Sequence, residues 1–176
     1  MRRIEVRLYT FEELSEPAKA AAREWYRAGF EYRWFSECHD TLNAFAERFR
    51  LRLGRVSLGD SCDVSWHFDS ASEDYYSLVG VRLWRYCQNN MLLDRLLVEF
   101  DDLPFCLDND ILNPLVEFMR RPNLAATWGD IMQQCIDSFC SAVAADVEFQ
   151  QSDECIDESI TANGYEFTCK GERYAS

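Results

Sequence analysis

Between Thr127 and Gln150 the apolar residues recur at Trp128, Ile131, Met132, Cys135, Ile136, Phe139, Cys140, Val143 and Val147. Steps of three and four place all of them on one side of a 3.6-residue helix. Such a helix is about 36 Å long, enough to cross a small domain. Thr127 is a good N-cap, and Asp130, three residues on, can answer the cap and favour the positive helix end. The other side carries Asp130, Gln133, Gln134, Asp137, Ser141 and Glu148.

The rest of the chain divides by the same patterns. Arg2 to Tyr9 alternates, with Ile4, Val6 and Leu8 on one side, and predicts a half-buried strand. Ser15 caps an Ala-rich helix that runs to Gly29, with Pro17 in its first turn. Phe35, Cys38, Leu42, Phe45 and Phe49 fall at helical spacing and predict a helix over Trp34 to Phe49. Leu51 to Leu58 reads as a strand. After Gly59-Asp60, Cys62, Val64, Trp66 and Phe68 alternate inward, which predicts a hairpin that the first strand extends. Tyr75 to Asn90 fits a helix loosely, weakened by Gly80. Met91 to Phe100 reads as a helix, and EFDDLPFCLDND as a loop with an acidic rim. A short helix starts at Asp110 or Asn113 and ends at Arg121-Pro122. Beyond the long helix, Ser152 caps SDECIDESITA, Asn163-Gly164 stops it, and YEFTCKGERY reads as a hairpin around Lys170-Gly171. The expected fold is α+β: a small, mainly antiparallel sheet packed by several helices, one of them the long amphipathic helix near 127–150, with a short C-terminal hairpin. With no repeat or linker, residues 1–176 are expected to form a single domain with an acidic C-terminal half, 91–176.

Composition supports a folded protein, since 48% of the residues are apolar and 14% aromatic. Charge adds more. The net of −13 is uneven: residues 1–60 hold 11 Lys and Arg against 10 Asp and Glu, a net of +1, and residues 61–176 hold 7 against 21, a net of −14. From Pro122 to Cys169 there is no Lys, Arg or His, against nine Asp and Glu. An acidic surface repels nucleic acid and anionic membranes and attracts basic surfaces. Eight cysteines are present. The charged start MRRIEVRLYTFEELSE has no apolar export core, so they are expected to stay reduced in a cytosol. Cys62, Cys135 and Cys140 occupy apolar positions, where a thiol behaves as a small hydrophobe. There is no C-x-x-C pair, and no apolar run approaches a membrane span.

The two ends carry a resemblance. YTFEELSEPAKAAAREWYR and SDECIDESITANGYEFTCKGERY, with DNDILNPLVEFMRRP between them, resemble a family of small phage and prophage proteins. Its pattern is an aromatic-x-E-L-S start, an Ala/Lys-rich helix ending in W-Y-R, and an acidic capped helix followed by an N-x-Y-E-F-T hairpin. These segments cover about a third of the chain. The resemblance implies a bacterial virus or integrated element as the genomic setting, and it brings no catalytic residues. Cys169-Lys170 depart from the acidic residues that the family carries at the hairpin turn.

Few constellations suggest chemistry. Cys38 and His39 are adjacent on a helix and point about 100° apart, so they do not readily share a proton. Asp63, His67 and Asp69 share a strand face that could hold a divalent metal in a metal-dependent enzyme; the favoured explanation is a solvated strand face, since Trp66 and its neighbours fill the core side. Asp108-Asn109-Asp110 begins like a calcium loop, but Asn113 stands at position six and Met119 at position twelve. No Gly-rich phosphate loop and no G-x-S-x-G is present. Arg48, Arg50, Arg52 and Arg55 form a basic stripe, which the acidic excess of the chain itself can satisfy.

The acidic residues give the sharpest expectation. Asp146, Glu148, Asp153, Glu154, Asp157 and Glu158 lie within thirteen residues, Asp137 precedes them on the long helix, and Asp101, Asp102, Asp108 and Asp110 form a second group. Carboxylates held on helices can imitate a row of phosphates. The expected function is a non-enzymatic phage-encoded inhibitor of bacterial defence, of the anti-CRISPR or anti-restriction type. As a nucleic-acid mimic it needs no cofactor, no direct nucleic acid and no membrane. Its partner is a basic nucleic-acid-binding protein of a host defence complex, and a homodimer is compatible with the sequence. The alternative is an accessory or adaptor protein that binds through Trp25, Tyr26, Phe30, Tyr32, Trp34 and Phe35.

Overall fold

The computed structural model describes residues 7–59, 61–69, 77–90 and 108–174. Its elements in chain order are β1 (Tyr9–Thr10), a 3-10 turn (Phe11–Glu13), α1 (Glu16–Ala28), α2 (Phe35–Phe49), β2 (Leu51–Ser57), β3 (Asp63–Phe68), α3 (Gly80–Asn89), α4 (Asp108–Arg120), α5 (Trp128–Gln150), α6 (Asp153–Ala162) and β4 (Glu166–Phe167). The fold is α+β, with two small antiparallel sheets of two strands each among the described residues. Residues 1–176, expected as a single domain, divide into two compact units. Unit 1 comprises Met1–Tyr32 with Asp146–Ser176, and unit 2 comprises Arg33–Ala145.

Unit 1 joins the chain ends. β1 pairs antiparallel with β4, Tyr9 opposite Phe167 and Thr10 opposite Glu166. The first strand therefore does not extend the β2–β3 hairpin, which is a correction to the expected sheet. The alternating stretch up to Val6 lies outside the described residues. Phe11, Leu14, Ala18, Ala22, Ile156, Ile160 and Phe167 form the core, with Trp25 and Tyr165 packed against it. The Trp25 ring meets Tyr165 and Phe167 edge-on at 5.3 and 5.9 Å. Alanines at 18 and 22 let α1 approach α6 closely. After Phe167 the chain turns sharply: Gly171 N–H donates to the Thr168 carbonyl at 2.9 Å, and Arg173 bridges back to Phe167. Gly171 has φ +81, and a methyl there would overlap the Ala18 carbonyl, so the position requires glycine on two counts.

Unit 2 holds α2, the β2–β3 hairpin, α3, α4 and α5 up to Ala145. Cys38, Leu42, Phe45 and Phe49 on α2 are buried, as their spacing predicts, but Phe35 is 47% exposed and only stacks on His39, 5.0 Å away. On α5 the expected inward row is buried at Trp128, Ile131, Met132, Cys135, Ile136, Phe139 and Val143, while Cys140 is half-buried. The α5 start is a closed capping box. The Asp130 carboxylate accepts from the Thr127 amide at 2.9 Å and hydroxyl at 2.7 Å, and the Asp130 amide donates to Thr127 Oγ1 at 3.1 Å.

Two glycine and proline positions differ from expectation. Gly80 does not weaken α3; it opens it. At φ +57 its amide donates to the Ala126 carbonyl, and Leu124 occupies the space where a side chain would stand. Pro114 lies inside α4, which begins at Asp108 rather than at Asp110 or Asn113. An internal proline costs roughly 3 kcal/mol. Ile111, Leu112, Leu115, Phe118 and Met119 are all buried, and at about 1.5–3 kcal/mol each their burial offsets that cost. Met91 to Phe100, read as a helix, and most of the acidic-rimmed loop lie outside the described residues.

Candidate acidic interface

The carboxylates of α6 separate by helical geometry into two rows. Residues four apart share a stripe, and the next residue points about 100° away. Asp153 and Asp157 therefore form one row, Glu154 and Glu158 the other. The first row faces α1, where Arg23 and Arg27 stand at the same four-residue spacing. Arg23 grips Asp157 through two hydrogen bonds of 2.6 Å, from Nε and Nη2, and reaches Asp153 at 3.5 Å. Arg27 pairs with Asp153 and Glu24, and its Nε donates to the Gln151 carbonyl at 3.1 Å. Hydrogen bonding to Asp157 raises the Arg23 guanidinium above its ordinary value, against the opposing effect of burial. Hydrogen bonding to Arg27 likewise holds the Asp153 carboxyl below the usual aspartate value.

The second row has no such partner. Glu154 and Glu158 are exposed, as is Glu148 at the end of α5, and none makes an ion pair among the described residues. Phe149 stands beside Glu148 with 62% of its surface exposed. Glu158 also lines an open groove with Lys19, Glu12 and Phe11. Asp146 is half-buried and accepts hydrogen bonds from the Tyr32 hydroxyl at 2.7 Å and from Gln150 at 2.8 Å. Of the eleven carboxylates singled out from sequence, unit 1 gathers six: Asp146, Glu148, Asp153, Glu154, Asp157 and Glu158. Three of those six are engaged within the unit.

The others are elsewhere. Asp137 belongs to unit 2 and accepts from Gln133 at 2.8 Å. Asp108 opens α4 and Asp110 lies in its first turn. Asp101 and Asp102 lie outside the described residues. The sequence reading missed the role of Arg23 and Arg27. Their spacing on α1 matches that of Asp153 and Asp157 on α6, and that match was the available signal.

Other candidates also find partners. Among the described residues no group of three His, Cys, Asp or Glu could hold a metal. Asp63, His67 and Asp69 are not brought together as ligands: His67 stands opposite Arg52 in the ladder, and Asp69 pairs with the same arginine at 3.1 Å. Thus part of the basic stripe is met by the acidic excess of the chain. Cys38 is buried while His39 lies against Phe35. No described helix is long and apolar enough to cross a membrane. No family model matches the chain, and no curated protein or solved structure is significantly similar to it.

Proposed function

We propose that this chain is a non-catalytic, phage-encoded inhibitor of bacterial defence, of the anti-CRISPR or anti-restriction type. It engages a basic nucleic-acid-binding surface through Glu148, Glu154 and Glu158 of unit 1, with Phe149 as an apolar anchor. The observation that supports the reading is the division of α6: one row of carboxylates is neutralised by α1, and the other is exposed and makes no ion pair among the described residues. Uncompensated charges on a rigid helix project a field over about one Debye length, roughly 8 Å at physiological salt, and steer a basic partner. The phage setting comes from the resemblance of the chain ends.

The test is retention of host-lysate proteins on the immobilised protein at low salt, followed by elution with rising salt and by added DNA or RNA. The wild type is expected to retain a nucleic-acid-handling defence complex. The triple variant E148Q/E154Q/E158Q is expected to lose it while keeping its melting temperature. Retention by the folded triple variant would refute this face as the site.

A second reading rests on Trp34 and Phe35, each 47% exposed in unit 2. They suit an adaptor protein that binds through aromatic side chains. Trp25 and Tyr26 are instead packed against the unit 1 core, so only part of the aromatic segment is available. Binding through Trp34 and Phe35 persists at high salt and is lost in W34A/F35A.

A further inference from the structure

Three pairs of contacts set β3 alongside α5 in unit 2. The Phe68 ring lies over Gly129, where an added Cβ would sit 3.8 Å from its Cε2. Trp66 Nε1 donates to Gln133 Oε1 at 2.9 Å. The Cys62 and Cys140 thiols lie within interaction range of each other. From Trp66 back to Cys62, just before β3, an extended chain covers about 13 Å. From Gln133 on to Cys140 the helix covers about 10 Å. The two elements run in opposite directions at nearly matched lengths, so the register of the first two contacts by itself brings Cys62 over Cys140. Both cysteines are half-buried, neither sealed in the core nor at the open surface.

We propose that Cys62 and Cys140 are a thiol pair that peroxides oxidise to a disulfide, tying the start of β3 to α5. Interaction with the Cys62 thiol favours the thiolate of Cys140 and lowers its pKa, against burial and the nearby Asp137 and Asp63. In the proposed step Cys140 is the attacking sulfur. Its thiolate displaces hydroxide from hydrogen peroxide and becomes a sulfenic acid. The Cys62 sulfur then attacks that sulfenic sulfur, the S–S bond forms, and water leaves. In total two thiols lose two hydrogens and one peroxide is reduced to two waters. Closure shortens the sulfur contact to about 2.05 Å. A thiol reductant reverses it by exchange. The remaining described cysteines provide internal controls. Cys38, Cys87 and Cys135 are buried; Cys155, half-buried like the pair itself, and the exposed Cys169 lie in unit 1.

The test treats the reduced, folded full chain with hydrogen peroxide, blocks free thiols with an alkylating reagent and maps peptides by mass spectrometry without reduction. Cleavage before aspartate isolates Cys62 in residues 60–62 and Cys140 in residues 137–145; trypsin has no site from Pro122 to Cys169. The expected product is the 60–62/137–145 cross-link, removed by dithiothreitol. In Cys62→Ser, Cys140 is expected to persist as a sulfenic acid that dimedone traps. Oxidation that accumulates on Cys155 or Cys169 with no cross-link, or a cross-link that takes Cys38 in place of either partner, overturns the proposal.

Discussion

Asp157 and Glu158 are neighbours in sequence, yet their substitution has opposite consequences. Asp157→Asn removes the charge that Arg23 grips through two 2.6 Å hydrogen bonds. The Arg23 side chain is only 17% exposed and that of Asp157 31%, so water replaces the carboxylate poorly. A hydrogen bond to a charged group contributes about 1.5–3 kcal/mol. Breaking a fully buried pair costs about 3–5 kcal/mol, and an exposed pair contributes about 0–1 kcal/mol. This pair lies between those limits, and the asparagine oxygen still accepts one bond. The expected loss is about 2 kcal/mol, or roughly 4–8 °C in melting temperature for a chain of this size. Glu158→Gln changes a solvated group with no ion pair, so stability stays within about 0.5 kcal/mol. The assay is urea unfolding followed by far-UV circular dichroism, with the double variant R23M/D157N to isolate the coupling. Equal midpoints for wild type and Asp157→Asn would falsify the claim that the inner row of α6 is structural.

Other expectations follow from the same contacts. Gly171→Ala forces a side chain into a positive-φ position against the Ala18 carbonyl, and denaturant titration is expected to show a loss of more than about 2 kcal/mol. Thr127→Ala opens the capping box of α5 and is expected to cost about 1 kcal/mol by the same measurement. Acid unfolding carries a sign. Asp130 is held below the usual aspartate value by the Thr127 amide and hydroxyl, and Asp153 by Arg27. A depressed folded value means a contribution present above the unfolded pKa and lost as pH falls through the folded one. Melting temperature is therefore expected to drop below about pH 4, with a shallower acid limb in D130N and D153N. An unchanged limb in both variants counts against these bonds.

Much of the fold was legible where one physical signal dominated. The inward row of α5, the Thr127–Asp130 cap, the α1 span and the Ser152 cap each depend on contacts within a few residues, and periodicity or a side-chain oxygen reveals them. The partner of β1 was not legible, because Tyr9 pairs with Phe167 across nearly the whole chain and a two-residue strand carries no register signal. Pro114 and Gly80 misled because the local rule is correct and the tertiary context outweighs it: a row of buried residues in α4, and the Leu124 backbone against α3. The acidic stretch was legible as composition but not as a surface. Thirteen residues of sequence contain a used row and an unused one, and only the position of α1 distinguishes them.

That distinction gives the uneven charge of the chain a physical role. The first 60 residues are nearly neutral and the remainder carries −14, an imbalance that as a whole opposes compaction. Inside unit 1 it is arranged to do the reverse. Arg23 and Arg27 come from the balanced end, Asp153 and Asp157 from the cation-free end, and their matching four-residue steps fix α1 and α6 in one register. Apolar burial by Ala18, Ala22, Ile156 and Ile160 brings the helices together but tolerates sliding between small, smooth side chains. The bidentate Arg23–Asp157 pair does not tolerate it, because a shift of one residue rotates the carboxylate about 100° away from its guanidinium. The inner carboxylates thus select the alignment, and that alignment in turn holds Glu154 and Glu158 outward on a rigid helix. A reversed pair, with Asp157→Arg and Arg23→Asp combined, is then expected to recover part of the midpoint lost in either single variant, the remainder being lost because Asp153 no longer has Arg23 beside it, and to leave the outward row unchanged.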